Sequence, residues 1–382
     1  MKMSHPVTAV IFEGGNPTSK VELSMLGVRK AICLDNIETL IHHKDYDRVI
    51  LATNYSDLAA EAIALGAQVI DTTEWKPFHY GTALQRVVRE NPMERVLYFS
   101  GASSPLISID EFTDIAKVLN ENENVVYVNN VQSADIVGWY PANVILEMDP
   151  PDMDNALGFQ IRYQKHFTRL LMPHSPGIHF DVDTPTEILF LKLMPNLGPR
   201  TRKEVDAMNW STDTLERAWH VLSRKGEVPS VWISGRVGAP LIAHFNLHLR
   251  ARLRVLSEER GMKAMGLEAE GKVKSFLAAF IEEAGIDAFF RWVSENSDVA
   301  FIDTRVIFAH KKLHASEHDR FNSDLGNWEV IENPFIREFT KAAKEAPIPI
   351  VLGGHTLILG GLWTMVDEIR YQRALHRSAK GE

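Results

Sequence analysis

Through the first 195 residues, short apolar runs alternate with amphipathic patterns. The runs are "TAVIF", "DRVILATN", "AQVIDT", "RVLYFSG" and "NVVYVNN", and between them lie stretches such as "SDLAAEAIALG" and "YGTALQRVVREN". Compact apolar runs bounded by turn formers suit buried strands, whereas apolar positions three and four apart suit helices. Their alternation predicts βαβ units, with a mainly parallel sheet covered by helices in three layers. Ligands of such sheets collect at the carboxyl ends of the strands.

From about residue 200 the β-branched runs thin out. Long helical patterns replace them: "STDTLERAWHVLSRKG", "LIAHFNLHLRARLRVLSEERG" and "AEGKVKSFLAAFIEEAG". The join falls at "MPNLGPRTRKE", rich in proline and charge, which places an α/β domain over residues 1–198 and a mainly α-helical domain over 199–382. Within the second, "IPIVLGGHTLILGG" reads either as a strand and turn or as a buried helix pair. In "LRARLRVLSEERGMK", Arg250 and Arg254 fall on one side of the expected helix, a solvated face or a grip for a phosphate-bearing substrate.

The 382 residues are 45% hydrophobic and 24% charged, with a formal net charge of −9. That size can bury a sizeable core. The acidic balance, without a dense basic run, argues against a general nucleic-acid binder. A single cysteine, Cys33, excludes an intramolecular disulfide and a Cys-based zinc site, and fits a reducing, cytoplasmic home. No charged n-region leads into an apolar run at the start, so no secretory signal is expected. The late run "IPIVLGGHTLILGGLW" is short for a bilayer span and carries His355 with four glycines; it reads as core, with no membrane partner.

In "TAVIFEGGNPTSK" an apolar strand enters a loop with Gly14 and Gly15, followed by Lys20. Paired glycines let a backbone approach phosphates and aim N–H groups at them, and a lysine adds charge; an ordinary turn has the same composition. Further on, "FSGASSPLI" reads as the end of a buried strand and a tight turn, and "IHFDVDTPTEI" as an extended stretch entering a helix. In that order these segments resemble the MobA-like and CofC-like nucleotidyltransferases, over roughly residues 6–195.

The resemblance implies a nucleotide-diphospho-sugar transferase-like, Rossmann-like fold. It also implies transfer of an NMP group from an NTP to a small phosphorylated acceptor, with release of pyrophosphate. Gly14, Gly15 and Lys20 would hold phosphates, and Asp181 and Asp183 would be ligands of a magnesium ion. Asn54, Gly81, Thr82, Gly101 and Ser103 would lie along the nucleotide site. The family's metal-binding turn reads "GAD-x-PL"; here Ser103 stands where its aspartate would be, so activity is in question. A degenerate transferase fold that only binds a nucleotide or sugar phosphate is the alternative. Asp183, ahead of Thr184 and Pro185, also suits a helix N-cap with no ligand.

The second half resembles no family. Its densest polar stretch is "FIDTRVIFAHKKLHASEHDRFNSDLGNW". On one continuous helix His310, His314 and His318 would share a face and could hold a metal, although the capping pattern from Ser316 to Asp319 argues for a new helix there. Were Asp303, Arg305 and His355 to meet, this half would own a site, and a metal-dependent enzyme built on that cluster is a further alternative. Self-association into a homo-oligomer is another role its length leaves open.

Overall fold

The computed structural model describes residues 5–224, 226–263 and 265–378. The chain divides into two compact units. The first comprises Met1–Pro17, Leu26–Asp181 and Asn196–Glu204; the second comprises Thr18–Met25, Val182–Pro195 and Val205–Glu382. Residues 182–195 therefore group with the second unit and not with the sequence that precedes them.

The first unit is built on seven strands: β1 (Val7–Phe12), β2 (Tyr46–Thr53), β3 (Gln68–Asp71), β4 (Val96–Ser100), β5 (Val125–Val128), β6 (Ile136–Tyr140) and β7 (Thr168–Leu171). Their order is β3-β2-β1-β4-β6-β5-β7, and every pairing is parallel except those of β6 with β4 and β5. The central strands read as unbroken apolar runs because both their faces are covered. Ala9 and Ile11 of β1, with Leu97 and Phe99 of β4, pack into one core layer. Val10, Val96 and Tyr98 pack into the other, as the two-residue period of a strand requires. From β1 the chain builds outward through β2 and β3, then returns to place β4 on the other side of β1. The carboxyl ends of β1 and β4 thus flank the point where strand order reverses, the position at which open α/β sheets take ligands.

In the second unit helical residues outnumber strand residues, yet four strands form a sheet of their own. These are β8 (Ser230–Gly235), β9 (Arg252–Ser257), β10 (Val299–Asp303) and β11 (Ile350–Gly353), all parallel, in the order β11-β10-β8-β9. The single long helix expected over "LIAHFNLHLRARLRVLSEERG" is instead a helix at Ala239–His248 followed by β9. The segment from Arg250 to Val255 alternates arginine with apolar residues, which is the signature of a half-buried edge strand. Arg254 accordingly lies on a strand. The stretch at residue 350 resolves as strand, turn and the helix Leu362–Ser378. No described helix is long and apolar enough to cross a membrane.

Candidate functional site

The loop after β1 is shaped by a single asparagine. Asn54, immediately beyond β2, accepts the Gly15 N–H through Oδ1 at 3.0 Å and donates from Nδ2 to the Gly15 carbonyl at 2.9 Å. This two-way clasp explains both glycines. A Cβ on Gly14 would lie 2.7 Å from Asn54 Oδ1, and Gly15 holds φ at +151°, a conformation that favours glycine. Asn54 thus acts on the loop's shape, a role the sequence did not suggest.

The loop forms one wall of a cavity of about 650 Å³ at the carboxyl ends of β1, β2 and β4. The other walls are largely aromatic: Phe12, Trp75, Phe78, Tyr80 and Tyr98. Phe12 packs edge-on against Phe78, Tyr80 and Tyr98, with ring centres 6.4, 5.9 and 5.6 Å away, a geometry favoured by the ring quadrupoles. The Tyr80 hydroxyl is buried beside that of Tyr98, whose ring centre lies 5.3 Å away. Burial, and then the nearby Asp154 carboxylate, push the Tyr80 phenol well above its ordinary pKa. It is therefore a donor at any working pH.

Arg29 and Lys76 supply the cavity's positive charge. Arg29 grips buried Glu13 with both arms of its guanidinium, Nε to Oε1 at 3.0 Å and Nη2 to Oε2 at 3.1 Å, the strong bidentate arrangement. Gly101 is required by this pair, because a Cβ there would meet Glu13 Cβ at 2.5 Å. Arg29 stood out from the sequence only as one of several irregularly spaced basic residues after the glycine loop, and Glu13 was not singled out. The only signal was an acid directly after an apolar strand, which is common at strand ends.

The turn after β4 and the stretch at Asp181 do meet. Ser103 and Asp181 form an isolated antiparallel bridge. Ser103 Oγ donates to Asp181 Oδ1 at 3.0 Å and lies 2.9 Å from Ser100 Oγ. The Ser103 carbonyl accepts from Asn36 Nδ2 at 3.1 Å, and the Ser104 N–H donates to the Phe180 carbonyl at 3.0 Å. The Ser103 hydroxyl is thus satisfied by the Asp181 carboxylate.

Other expected residues have structural work. Gly81 is buried because its N–H donates to the Pro151 carbonyl at 2.9 Å and a Cβ would meet Pro151 N at 2.4 Å. Thr82 sits in the first turn of the helix Tyr80–Glu90, where its N–H donates to the capping His79 Nδ1 at 3.3 Å. Lys20 opens the helix Lys20–Ile41 and groups with the second unit. Asp183 is exposed, and the N-cap of the helix Pro185–Leu193 is Thr184, one residue later than the sequence suggested.

Magnesium demands oxygen ligands in near-octahedral array and takes its carboxylates from the protein. In the first unit Asp181 Oδ1 is engaged by Ser103, and both Glu13 oxygens are engaged by Arg29. Among the described residues no group of three or more His, Cys, Asp and Glu side chains is placed to hold a metal ion. The donor set does not suit magnesium.

In the second unit Arg305 and His355 both come within electrostatic reach of Asp303. Asp303 ends β10 and is completely enclosed. Arg236, just past β8, pairs with it through Nε at 2.6 Å and Nη2 at 3.1 Å. Burial raises the Asp303 pKa, but Arg236 and the neighbouring His355 and Arg305 more than offset this and hold it below the usual range. Arg305 makes a second bidentate pair with Asp324, at 2.8 and 2.6 Å. The histidines do not form the expected metal site. His310 Nδ1 accepts from the Ser275 N–H at 2.8 Å, His314 lies in a loop, and His318 belongs to a separate helix capped by Ser316.

No protein-family model matches the chain, and no curated protein matches it. Solved structures similar to it include nucleotidyltransferases that match about half its length. CMP:2-keto-3-deoxy-manno-octonic acid synthetase, solved with CTP, is 11% identical and matches 50% of this chain and 100% of its own, with a TM-score of 0.36. A nucleotidyl transferase from Methanothermobacter thermautotroptrophicus is 10% identical over 49% and 95%, with a TM-score of 0.40. A cytidylyltransferase from Leptospira borgpetersenii is 12% identical over 53% and 93%, also at 0.40. At these values the likeness carries no argument about the site.

Proposed function

We propose that the first unit binds a nucleotide, as a nucleoside triphosphate or a nucleotide sugar, and does so without a protein-bound metal ion. The observation that carries this reading is the Asn54-clasped Gly14–Gly15 loop, facing an aromatic wall across a cavity of about 650 Å³. That volume lies in the range of small-molecule pockets. The loop's backbone, Arg29 and Lys76 would hold phosphates, and the aromatic side would take the base, with the Tyr80 hydroxyl as a donor to it or to the sugar. The finer reading, transfer of an NMP group to a phosphorylated acceptor, requires charge neutralisation at the α-phosphorus. Ser103 and Asp181, bonded to each other, are poorly suited to provide it through a metal.

The test is calorimetric titration of the whole chain with each common NTP and with UDP- and CDP-linked sugars, in chelator and in magnesium. One of these ligands should bind equally well in chelator, and Asn54→Ala should weaken it about tenfold, or about 1.4 kcal/mol. Failure of every ligand to bind would sink the proposal. Magnesium-dependent pyrophosphate release, lost in Asp181→Ala, would replace it with the transfer reading.

A further inference from the structure

The second unit contains a cavity of about 300 Å³ that the nucleotide reading does not use. It lies behind the loop joining the helix Thr304–His310 to the helix Glu317–Leu325, and its lining is rich in cations: Lys263, Arg305, Lys312 and Arg320, with His314 at the loop. Two carboxylates also line it, Glu268 and Glu270, and Glu270 is engaged by Lys272 at 2.5 Å. Asp324 neutralises Arg305, and Glu317 neutralises Arg320. Lys263 and Lys312 have no carboxylate partner among the described residues, which leaves two ammonium groups against Glu268.

Two features make this a built site and not a solvated charged face. The Arg305 side chain is only 7% exposed, and a buried guanidinium fixed by a bidentate carboxylate is a rigid, preorganised cation. Arg320 Nε is buried and has no acceptor, although an arginine donates from every nitrogen and cannot lose its charge. Buried donors of this kind are ordinarily satisfied. Lys312 is held over the backbone at Gly271, its Cε 3.4 Å from where a Cβ would sit.

We propose that this cavity binds a phosphate group. A tetrahedral dianion offers acceptor oxygens to Arg320 Nε and negative charge to the two lysines, whereas a cation offers neither and a neutral molecule lacks the charge. The volume admits either inorganic phosphate or a small phosphomonoester. It also explains the polar stretch after β10 without a metal, since the histidines there are dispersed while the cations converge.

The experiment uses the full chain, titrated with inorganic phosphate and separately with glycerol phosphate, against sodium chloride of equal ionic strength. Phosphate should raise the melting temperature beyond the chloride control. Lys312→Ala and Arg320→Gln, both at partly exposed positions, should each weaken its binding about tenfold, while Asn54→Ala leaves it unchanged. Tighter binding of glycerol phosphate than of inorganic phosphate identifies a phosphomonoester, and the reverse identifies the free ion. No effect beyond chloride, or affinity unchanged in both cavity variants, would overturn the proposal. Loss of phosphate binding in Asn54→Ala would overturn it too, by moving the phosphate to the first unit.

Discussion

Glu187 shows how much one carboxyl group can carry. It is fully buried in the first turn of the helix Pro185–Leu193, where Oε2 accepts the Thr184 N–H at 2.6 Å and Oε1 has no partner. Burial pushes its pKa up to about 8, partly countered by the Thr184 hydrogen bond and reinforced by Asp183 and Asp324. The folded chain therefore binds a proton that the unfolded chain releases near pH 4.5. Between about pH 4.5 and 8 the native state holds more protons, so stability is greatest at the acid end and declines as pH rises. Denaturant titrations should show wild-type losing on the order of a few kcal/mol from pH 5 to pH 8, with a clearly smaller loss in Glu187→Gln. Equal losses would remove Glu187 as the cause. The sequence displayed this residue only as an acid early in a helix, because burial is decided by the strand ends it packs against. Thr186 Oγ1, next to it, donates to the Leu352 carbonyl at 2.8 Å, a contact across 166 positions that no local pattern encodes.

At the scale of elements, caps and the apolar strands of the first unit were legible, and the strands of the second unit from β8 to β10 were not. The helix start at Ser316 was readable because a capping pattern is local, and Ser316 Oγ does accept the Asp319 N–H at 3.2 Å. β1, β2 and β4 stood out because both their faces are apolar. β9 was hidden because its alternation is brief and its arginines suit a helix surface equally well. The junction of β10 with the helix Thr304–His310 turns on Asp303, which caps the helix by accepting the Arg305 N–H at 3.2 Å while pairing with Arg236. Asp303→Ala removes the cap and leaves Arg236, with only 12% of its side chain exposed, without its carboxylate. It should destabilise the second unit by about 3–5 kcal/mol, read as a fall in the denaturation midpoint at unchanged slope. A loss below about 1 kcal/mol would mean that Arg236 finds another partner.

At the scale of the whole molecule, the chain carries a mainly parallel sheet and a wholly parallel one, each with a point where strand order reverses, between β1 and β4 and between β8 and β10. The first was foreseeable from the alternation of strand and helix patterns. The second was not, since its strands are short and separated by long helical stretches that dominate the composition. Gly81, Thr82, Gly101, Ser103 and Asp181 do not line the candidate cavity, whereas Gly14, Gly15 and Asn54 do and were visible in the sequence. Its aromatic walls and the Glu13–Arg29 pair were not, because they depend on which side chains converge from distant loops. The Ser103–Asp181 hydrogen bond also bears on how the protein responds to its ionic surroundings. A turn closed by a hydroxyl and one carboxylate holds no mutual repulsion that a divalent ion would need to relieve, so melting temperatures in calcium, magnesium and chelator should coincide. Ser103→Asp would set two acids within hydrogen-bonding distance, and the chain would then become chelator-sensitive, trading a self-sufficient joint for one that depends on its solution.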